Sequence, residues 1–194
     1  MRRLQTPVLL LAGLAIGTAV VGAASATFWQ VSTQAEFLKG EGEAIAIDAD
    51  GRLSLGRTLS VVADPATPVL WRAIVHDGAL VAGSGHDGKV FRIGRDGTAT
   101  LLVDTEQVQV HALAPGPGRD VYVGTSPDGR VLRVDPAGRA TTVFDPEETY
   151  IWALARSAAG ALLVATGEPG GVHVVNADGS SRLLYRAKAT HVTT

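Results

Sequence analysis

The feature that most constrains this chain is an internal repeat with a period of 41 residues. One copy, at residues 87–93, reads DGKVFRI and returns as DGRVLRV at 128–134, 41 positions later. A weaker copy, PGGVHVV, follows at 169–175 after the same interval. Periods of 20–50 residues are typical of folds that stack one small structural unit on the next, because a single unit cannot bury its own apolar face. The repeat therefore predicts a stacked architecture.

Each repeat unit contains four short apolar segments separated by tight turns. The segments are rich in Val, Ile, Leu and Tyr, which favour β-strands. Many of the turns are Asp-Gly pairs, such as 87–88 and 128–129, which accept the positive φ that two-residue hairpins require. Parallel strands would need a crossover of roughly a dozen residues, and the connections are too short for one. Neighbouring strands in each unit are therefore expected to be antiparallel.

Four antiparallel strands in each 41-residue unit predict an all-β fold made of β-propeller blades. Stacked blades bury both faces of each sheet, which explains why the middle strands are apolar almost throughout. A β-sandwich or an open meander would explain the strands but not the period. The predicted units are a half blade at 43–67, in which 59–62 continue a hairpin, and full blades at 68–107, 108–149 and 150–190.

The number of repeats is small for a closed ring. Residues 191–194 align with the opening of a further unit, so the sequence contains a half blade, three blades and the start of another. Propellers usually close with about four to eight blades. We therefore expect a partial chain, and two copies that complete one ring are the alternative.

The first 26 residues have the pattern of a secretory signal. Arg2 and Arg3 precede an apolar run at 8–22, and Ala24-Ser25-Ala26 is a cleavage pattern, so we expect export to the periplasm or the extracellular space. An uncleaved inner-membrane anchor is the alternative, and only then would the protein contact a membrane. The run is near the lower limit for spanning a bilayer. The linker at 27–42 should contain a short helix.

Composition excludes several function classes. The chain has no cysteine, which excludes disulfides, thiolate metal sites and a cysteine nucleophile. Its net charge of -2 offers no broad positive field for a nucleic acid. The expected partner is a protein or a small polar ligand.

These repeats resemble exported bacterial β-propeller proteins, a broad group that includes WD40-like, NHL-like and SMP-30-like propellers. The residues that carry the resemblance are 87–93, 128–134 and Trp152-Ala153-Leu154-Ala155 followed by 162–167. In addition, Gly40-Glu41-Gly42-Glu43 before a strand is similar to the opening of SMP-30/gluconolactonase propellers. That similarity implies, as an alternative, a metal-dependent hydrolase or lyase with Glu43 on one divalent cation. Otherwise no cofactor is expected.

The candidate site is a ligand-binding rim rather than a catalytic centre. Trp71 and Trp152 open the first strand of their units, and His111 occupies the same position in the middle unit. Blade packing is the alternative role for these rings. Ser84 and His86 share one turn, a poor arrangement for a nucleophile and its base, so no catalytic residue is predicted. The predicted rim comprises Trp71, His86, Asp87, His111, Asp128, Trp152 and Glu168.

These observations predict a secreted or periplasmic propeller that acts as a non-catalytic binding or scaffolding module. Two alternatives stay open, the SMP-30-like enzyme and a membrane-tethered sensor or assembly component. A propeller fold can host all three, so the fold alone does not choose among them.

Overall fold

The computed structural model describes residues 30–37, 39–41, 43–57 and 59–193. The predicted signal at 1–26 lies outside these residues. The described residues form two compact units, 30–57 and 59–193. In the described part of the chain, no helix is long and apolar enough to cross a membrane.

The first unit contains one short helix, α1 (Gln34–Phe37), in the predicted linker. Its start is closed by a capping box, in which Thr33 Oγ1 accepts a hydrogen bond from the Glu36 backbone N–H at 3.2 Å. The Glu36 carboxylate in turn accepts from the backbone N–H of Ser32 at 3.3 Å. These bonds satisfy backbone donors that the first turn of a helix leaves free.

The first unit also contains an antiparallel hairpin of β1 (Ile45–Ile47) and β2 (Leu53–Leu55). In the turn between them, Asp48 Oδ1 accepts hydrogen bonds from the backbone N–H groups of Asp50 and Arg52, at 2.9 and 2.8 Å. An aspartate that bonds its own following backbone stabilises a turn of this kind.

The second unit consists of three four-stranded antiparallel blades. Blade 1 contains β3 (Val69–His76), β4 (Ala79–Gly85), β5 (Lys89–Ile93) and β6 (Ala99–Asp104). Blade 2 contains β7 (Gln109–Pro115), β8 (Val121–Ser126), β9 (Val131–Val134) and β10 (Ala140–Phe144). Blade 3 contains β11 (Tyr150–Arg156), β12 (Leu162–Gly167), β13 (Gly171–Val175) and β14 (Ser181–Arg186).

Strands pair within each repeat in chain order, and one bridge between Gly85 and Gln109 links the sheets of blades 1 and 2. Tight turns make this possible. Between β3 and β4, for example, Asp77 and Gly78 both have positive φ, 50° and 70°. Two successive residues with positive φ match the twist of a two-residue hairpin.

The blades pack face to face through equivalent contacts one repeat apart. An added Cβ on Gly83 of blade 1 would lie 2.5 Å from Val110 Cγ1 of blade 2. An added Cβ on Gly124 would lie 2.5 Å from Ile151 Cγ2 of blade 3. Val110 and Ile151 are fully buried. The predicted propeller-blade fold is therefore confirmed, since a sandwich would pair strands across the repeats.

One strand prediction is wrong. Residues 59–62 were expected to continue the first hairpin, but no strand forms between residues 59 and 68. Leu59 and Val61 are 93% and 86% exposed, so their apolar side chains have no neighbouring strand to pack against. We call the first strand of each blade its inner strand. The predicted alignment of residue 191 with the opening of such a strand is confirmed, because the bridge between His191 and Gly167 repeats the bridge between Gln109 and Gly85.

Candidate functional site

The inner strand of every blade carries a β-bulge at the same repeat position. Its register against the next strand shifts across Trp71 in β3, across His111 in β7 and across Trp152 in β11. A bulge bends the strand and re-aims the side chain of the extra residue. The repeat thus places three rings at equivalent points of three adjacent strands.

These rings and two neighbours form what we call the aromatic row: Trp71, His111, Trp152, Tyr150 and His191. The His111 ring lies between the tryptophans, with centroid distances of 5.7 Å to Trp71 and 4.6 Å to Trp152. Tyr150 stacks on Trp152 at 5.2 Å. Trp152 Nε1 donates a hydrogen bond to His191 Nδ1 at 3.1 Å. The row therefore extends across all three blades and onto residue 191.

Small residues beneath the row give the rings their space. A Cβ on Gly85 would overlap the Trp71 indole, and a Cβ on Gly167 would overlap Trp152 and His191. The equivalent residue in blade 2 is Ser126, 41 positions from each glycine, and there the ring is the smaller imidazole of His111. Ring size and underlying residue thus change together between blades.

His111 gives the centre of the row a polar group. Its Nε2 lies 2.5 Å from Gln109 Oε1, and since that oxygen can only accept, Nε2 carries the proton. Burial lowers the pKa of His111. The imidazole is therefore neutral at pH 7, which suits its position between two indoles.

A hydroxyl at one repeat position fixes the loop between the second and third strand of each blade. Ser84 Oγ donates to Asp87 Oδ1 at 2.5 Å in blade 1. Thr125 Oγ1 donates to the Asp128 carbonyl at 3.0 Å in blade 2, and Thr166 bonds the carbonyls of its own loop. All three hydroxyl-bearing residues are buried. The loops that flank the row are thus each held by a hydroxyl at the same repeat position, through a carboxylate in blade 1 and through backbone carbonyls in blades 2 and 3.

The predicted rim residues have different surroundings. Asp87 is engaged within its loop: Thr67 Oγ1 donates to it at 2.9 Å, and Lys89 Nζ lies 3.3 Å away. Burial raises the pKa of Asp87, but hydrogen bonds from Ser84, Thr67 and Lys89 outweigh burial and hold that pKa below its ordinary value. His86 is exposed at the same loop, with a φ of 70°.

The other two loop residues of the rim connect to neighbouring segments. Asp128 accepts a hydrogen bond from Gln107 Nε2 at 3.2 Å, which ties a blade 2 loop to the connection from blade 1. Glu168 Oε1 lies 3.9 Å from His191 Nε2, and its side chain is 49% exposed. The structure therefore brings Trp71, His111 and Trp152 together, with Glu168 joined to them through His191.

Sequence reasoning missed a buried polar group at Glu148, which lies in a segment rich in acidic residues. Glu148 is 4% exposed, and its Oε1 lies 3.0 Å from His173 Nε2 and 2.9 Å from Arg186 Nη1. Burial raises the pKa of Glu148, but the hydrogen bonds from His173 and Arg186 outweigh it and hold the pKa below the ordinary value. The arrangement ties the chain before β11 to β13 and β14.

A metal centre has no visible basis in the described residues. Among them, no three or more His, Asp or Glu residues lie close enough together to hold a metal ion. Glu43, the cation ligand implied by the SMP-30 resemblance, is exposed in the first unit. Its role as a cation ligand stays a prediction.

No family model matches this sequence. No curated protein matches it either. Solved structures do. Virginiamycin B lyase from Staphylococcus aureus superposes with a TM-score of 0.56 at 13% identity, over 74% of this chain and 48% of that one. Regucalcin, a calcium-binding protein from Agrobacterium tumefaciens, gives a TM-score of 0.57 at 18% identity, over 75% of this chain and 54% of that one.

The chain spans about half the length of these solved structures. At such identities the similarity shows the fold alone, a β-propeller. The fold hosts different activities, so the similarity carries no reaction over to this chain.

Proposed function

We propose that this protein is an exported, non-catalytic binding module that holds its partner against the aromatic row. The observation that carries the proposal is the bulge repeated at Trp71, His111 and Trp152. Bulges often re-aim side chains at functional sites. Large aromatic side chains dominate the energetics of interfaces when a partner covers them.

The surroundings of the row support binding more than catalysis. Trp71 is 50% exposed, like Leu70 and Val75 of the same strand, and its large indole offers a surface that a partner can cover. Across the described residues the Ser126 hydroxyl has no hydrogen-bond partner, so it does not form a nucleophile–base pair with His111. The loops beside the row are held by internal hydrogen bonds, as suits a preformed surface.

The test compares ligand binding by the full wild-type chain with binding by two full-length variants, each with one aromatic side chain replaced by alanine. A peptide array and a soluble oligosaccharide panel are probed with wild type, with Trp71→Ala and with Tyr185→Ala. Tyr185 is a matched control, since it is 61% exposed on the outer strand β14, away from the row. We expect ligands that Tyr185→Ala retains and Trp71→Ala loses. Equal binding by both variants would contradict the proposal.

Two further measurements separate the proposal from its alternatives. Native mass spectrometry of the full chain should find no bound divalent ion. One Ca²⁺ or Mg²⁺ per chain that Glu43→Gln abolishes would favour the metal-dependent enzyme instead. The N-terminus of the exported protein should be Thr27, whereas a retained residue 1 would favour the membrane-tethered sensor or assembly component.

A further inference from the structure

The polar groups at the centre of the aromatic row include donors that a ligand can use. Gln109 Oε1 accepts from the His111 Nε2–H, and among the described residues the two amide N–H bonds of Gln109 have no acceptor. The Trp71 side chain is half exposed, with the Nε1 edge of its indole against Gly85. A ligand that covers the Gln109 amide must supply acceptors, because a buried donor without an acceptor is costly.

The loops that flank the row carry an excess of negative charge. Near the row they contain eight carboxylates, at positions 87, 104, 106, 128, 145, 147, 148 and 168, against four cations, at 89, 130, 186 and 188. Lys89 pairs with Asp87, and Arg130 lies 3.7 Å from Asp145. Glu106 and Glu168 stay exposed. A ligand with a positive charge beside its apolar part complements this surface.

The shape of the row favours an extended ligand over a compact one. His111 separates the two tryptophans, and the planes of Trp71 and His111 meet at 42° and those of His111 and Trp152 at 38°. Rings that surround one point form a cage for a quaternary ammonium ion. These rings instead follow one another from blade to blade, so they present an extended surface of two indoles with an imidazole between them.

We propose that the aromatic row binds an extended, proline-containing peptide segment that carries a lysine or arginine beside its prolines. A polyproline II segment makes no internal hydrogen bonds, so its carbonyl groups can accept from the Gln109 amide. Its proline rings pack on the aromatic side chains, the mode by which aromatic grooves bind such segments. The basic residue lies toward Glu168, which adjoins the row through His191. This inference rests on the proposed function and adds the ligand class.

The test uses labelled synthetic peptides and fluorescence anisotropy with the full chain. The probe is Arg-Ala-Leu-Pro-Pro-Leu-Pro, and its controls are the same peptide with Arg replaced by Glu and with each Pro replaced by Gly. We expect each control peptide to bind about tenfold more weakly than the probe. Trp71→Ala should weaken probe binding by about tenfold or more, as truncation of an anchor residue does, and Tyr185→Ala should leave it unchanged.

Charge and salt supply a second readout. Glu168→Gln should weaken binding of the Arg peptide by about threefold and leave binding of the Glu peptide unchanged. Raising the salt concentration from about 0.05 to 0.5 M should remove most of the difference in Arg-peptide affinity between wild type and Glu168→Gln. Thermal melts of Trp71→Ala and Glu168→Gln establish that the variants are folded.

The failures are distinguishable. If a soluble oligosaccharide binds through Trp71 and no peptide does, the ligand class is wrong and the binding function stands. If the Arg and Glu peptides bind equally, the claim that the ligand carries a basic residue is wrong. If no probe, peptide or sugar, distinguishes wild type from Trp71→Ala, both the ligand class and the binding function are overturned.

Discussion

The inner strands of blades 1 and 2 have similar sequences and different burial. In β7, Val110 and Leu113 are 0% and 2% exposed, whereas in β3, Leu70 and Val75 are 40% and 77% exposed. Within residues 59–193, β7 lies between β3 and β4 on one side and β11 on the other. Among the strands of residues 59–193 outside blade 1, β3 packs on β7 of blade 2. The difference teaches that an inner strand is buried by its neighbouring blades and not by its own sheet.

The largest expected effect comes from truncating one leucine in each strand. Leu113→Ala should lower the free energy of unfolding by about 2–5 kcal/mol, because it opens a cavity in a closed interface. Leu70→Ala is the matched control and should cost less than about 1 kcal/mol, since its side chain is partly in water. Urea denaturation measures both. Equal costs would mean that β7 is not covered on both sides.

The next effect tests the contact between blades 2 and 3. Gly124→Ala should cost about 1–3 kcal/mol of unfolding free energy, because the added methyl group meets Ile151 Cγ2. In an Ile151→Ala background the same change should cost much less, since the obstructing methyl group is gone. A double-mutant cycle in urea measures this coupling. Strictly additive costs would contradict the packing of Gly124 on Ile151.

A third prediction exchanges the ring pattern between blades. His111→Trp alone should cost about 1–2 kcal/mol of stability, because an indole there overlaps Ser126. His111→Trp with Ser126→Gly reproduces the Trp71–Gly85 pair and should recover most of that loss. Thermal unfolding compares the variants. A double variant less stable than the single one would show that the ring and the residue beneath it are not coupled.

The smallest effect is a pH dependence of stability at Glu148, which bonds His173 and Arg186 in blade 3. Because the folded-state pKa of Glu148 is lowered, its stabilising contribution is present above the unfolded-state pKa of glutamate and is lost as the pH falls through the folded-state pKa. Wild type should therefore lose about 1 kcal/mol more than Glu148→Gln on acidification through that range.

The matched control for this pH series is Glu147→Gln, which removes an exposed carboxylate next to Glu148 and should leave the wild-type pH dependence unchanged. Urea midpoints measured from neutral to acidic pH give all three curves. Parallel curves for wild type and Glu148→Gln would contradict the role of Glu148.

The repeat was sufficient to predict the blades. The period and the turn residues placed the strands near Leu70, Val110 and Ile151, and their pairing within each unit is confirmed. The strand prediction for residues 59–62 failed because an apolar run forms a strand only when a partner strand lies beside it. Local sequence carries no information on that partner.

The site was predictable only in part. Trp71, His111 and Trp152 could be aligned from the sequence. The bulges that orient their side chains into one row depend on how two strands pair, which the sequence does not show. Glu148 was missed because its partners His173 and Arg186 lie 25 and 38 residues away, and a charged residue in a loop has no local mark of burial.

The most direct test of the stacked blades is a nuclear Overhauser measurement on methyl-labelled protein. The structure predicts cross-peaks from the Val110 methyl groups to the Gly83 Hα protons and from the Ile151 Cγ2 methyl group to the Gly124 Hα protons. These are equivalent contacts one repeat apart, so both should appear with similar intensity. The absence of both, with cross-peaks instead between strands of different repeats paired edge to edge, would contradict the propeller.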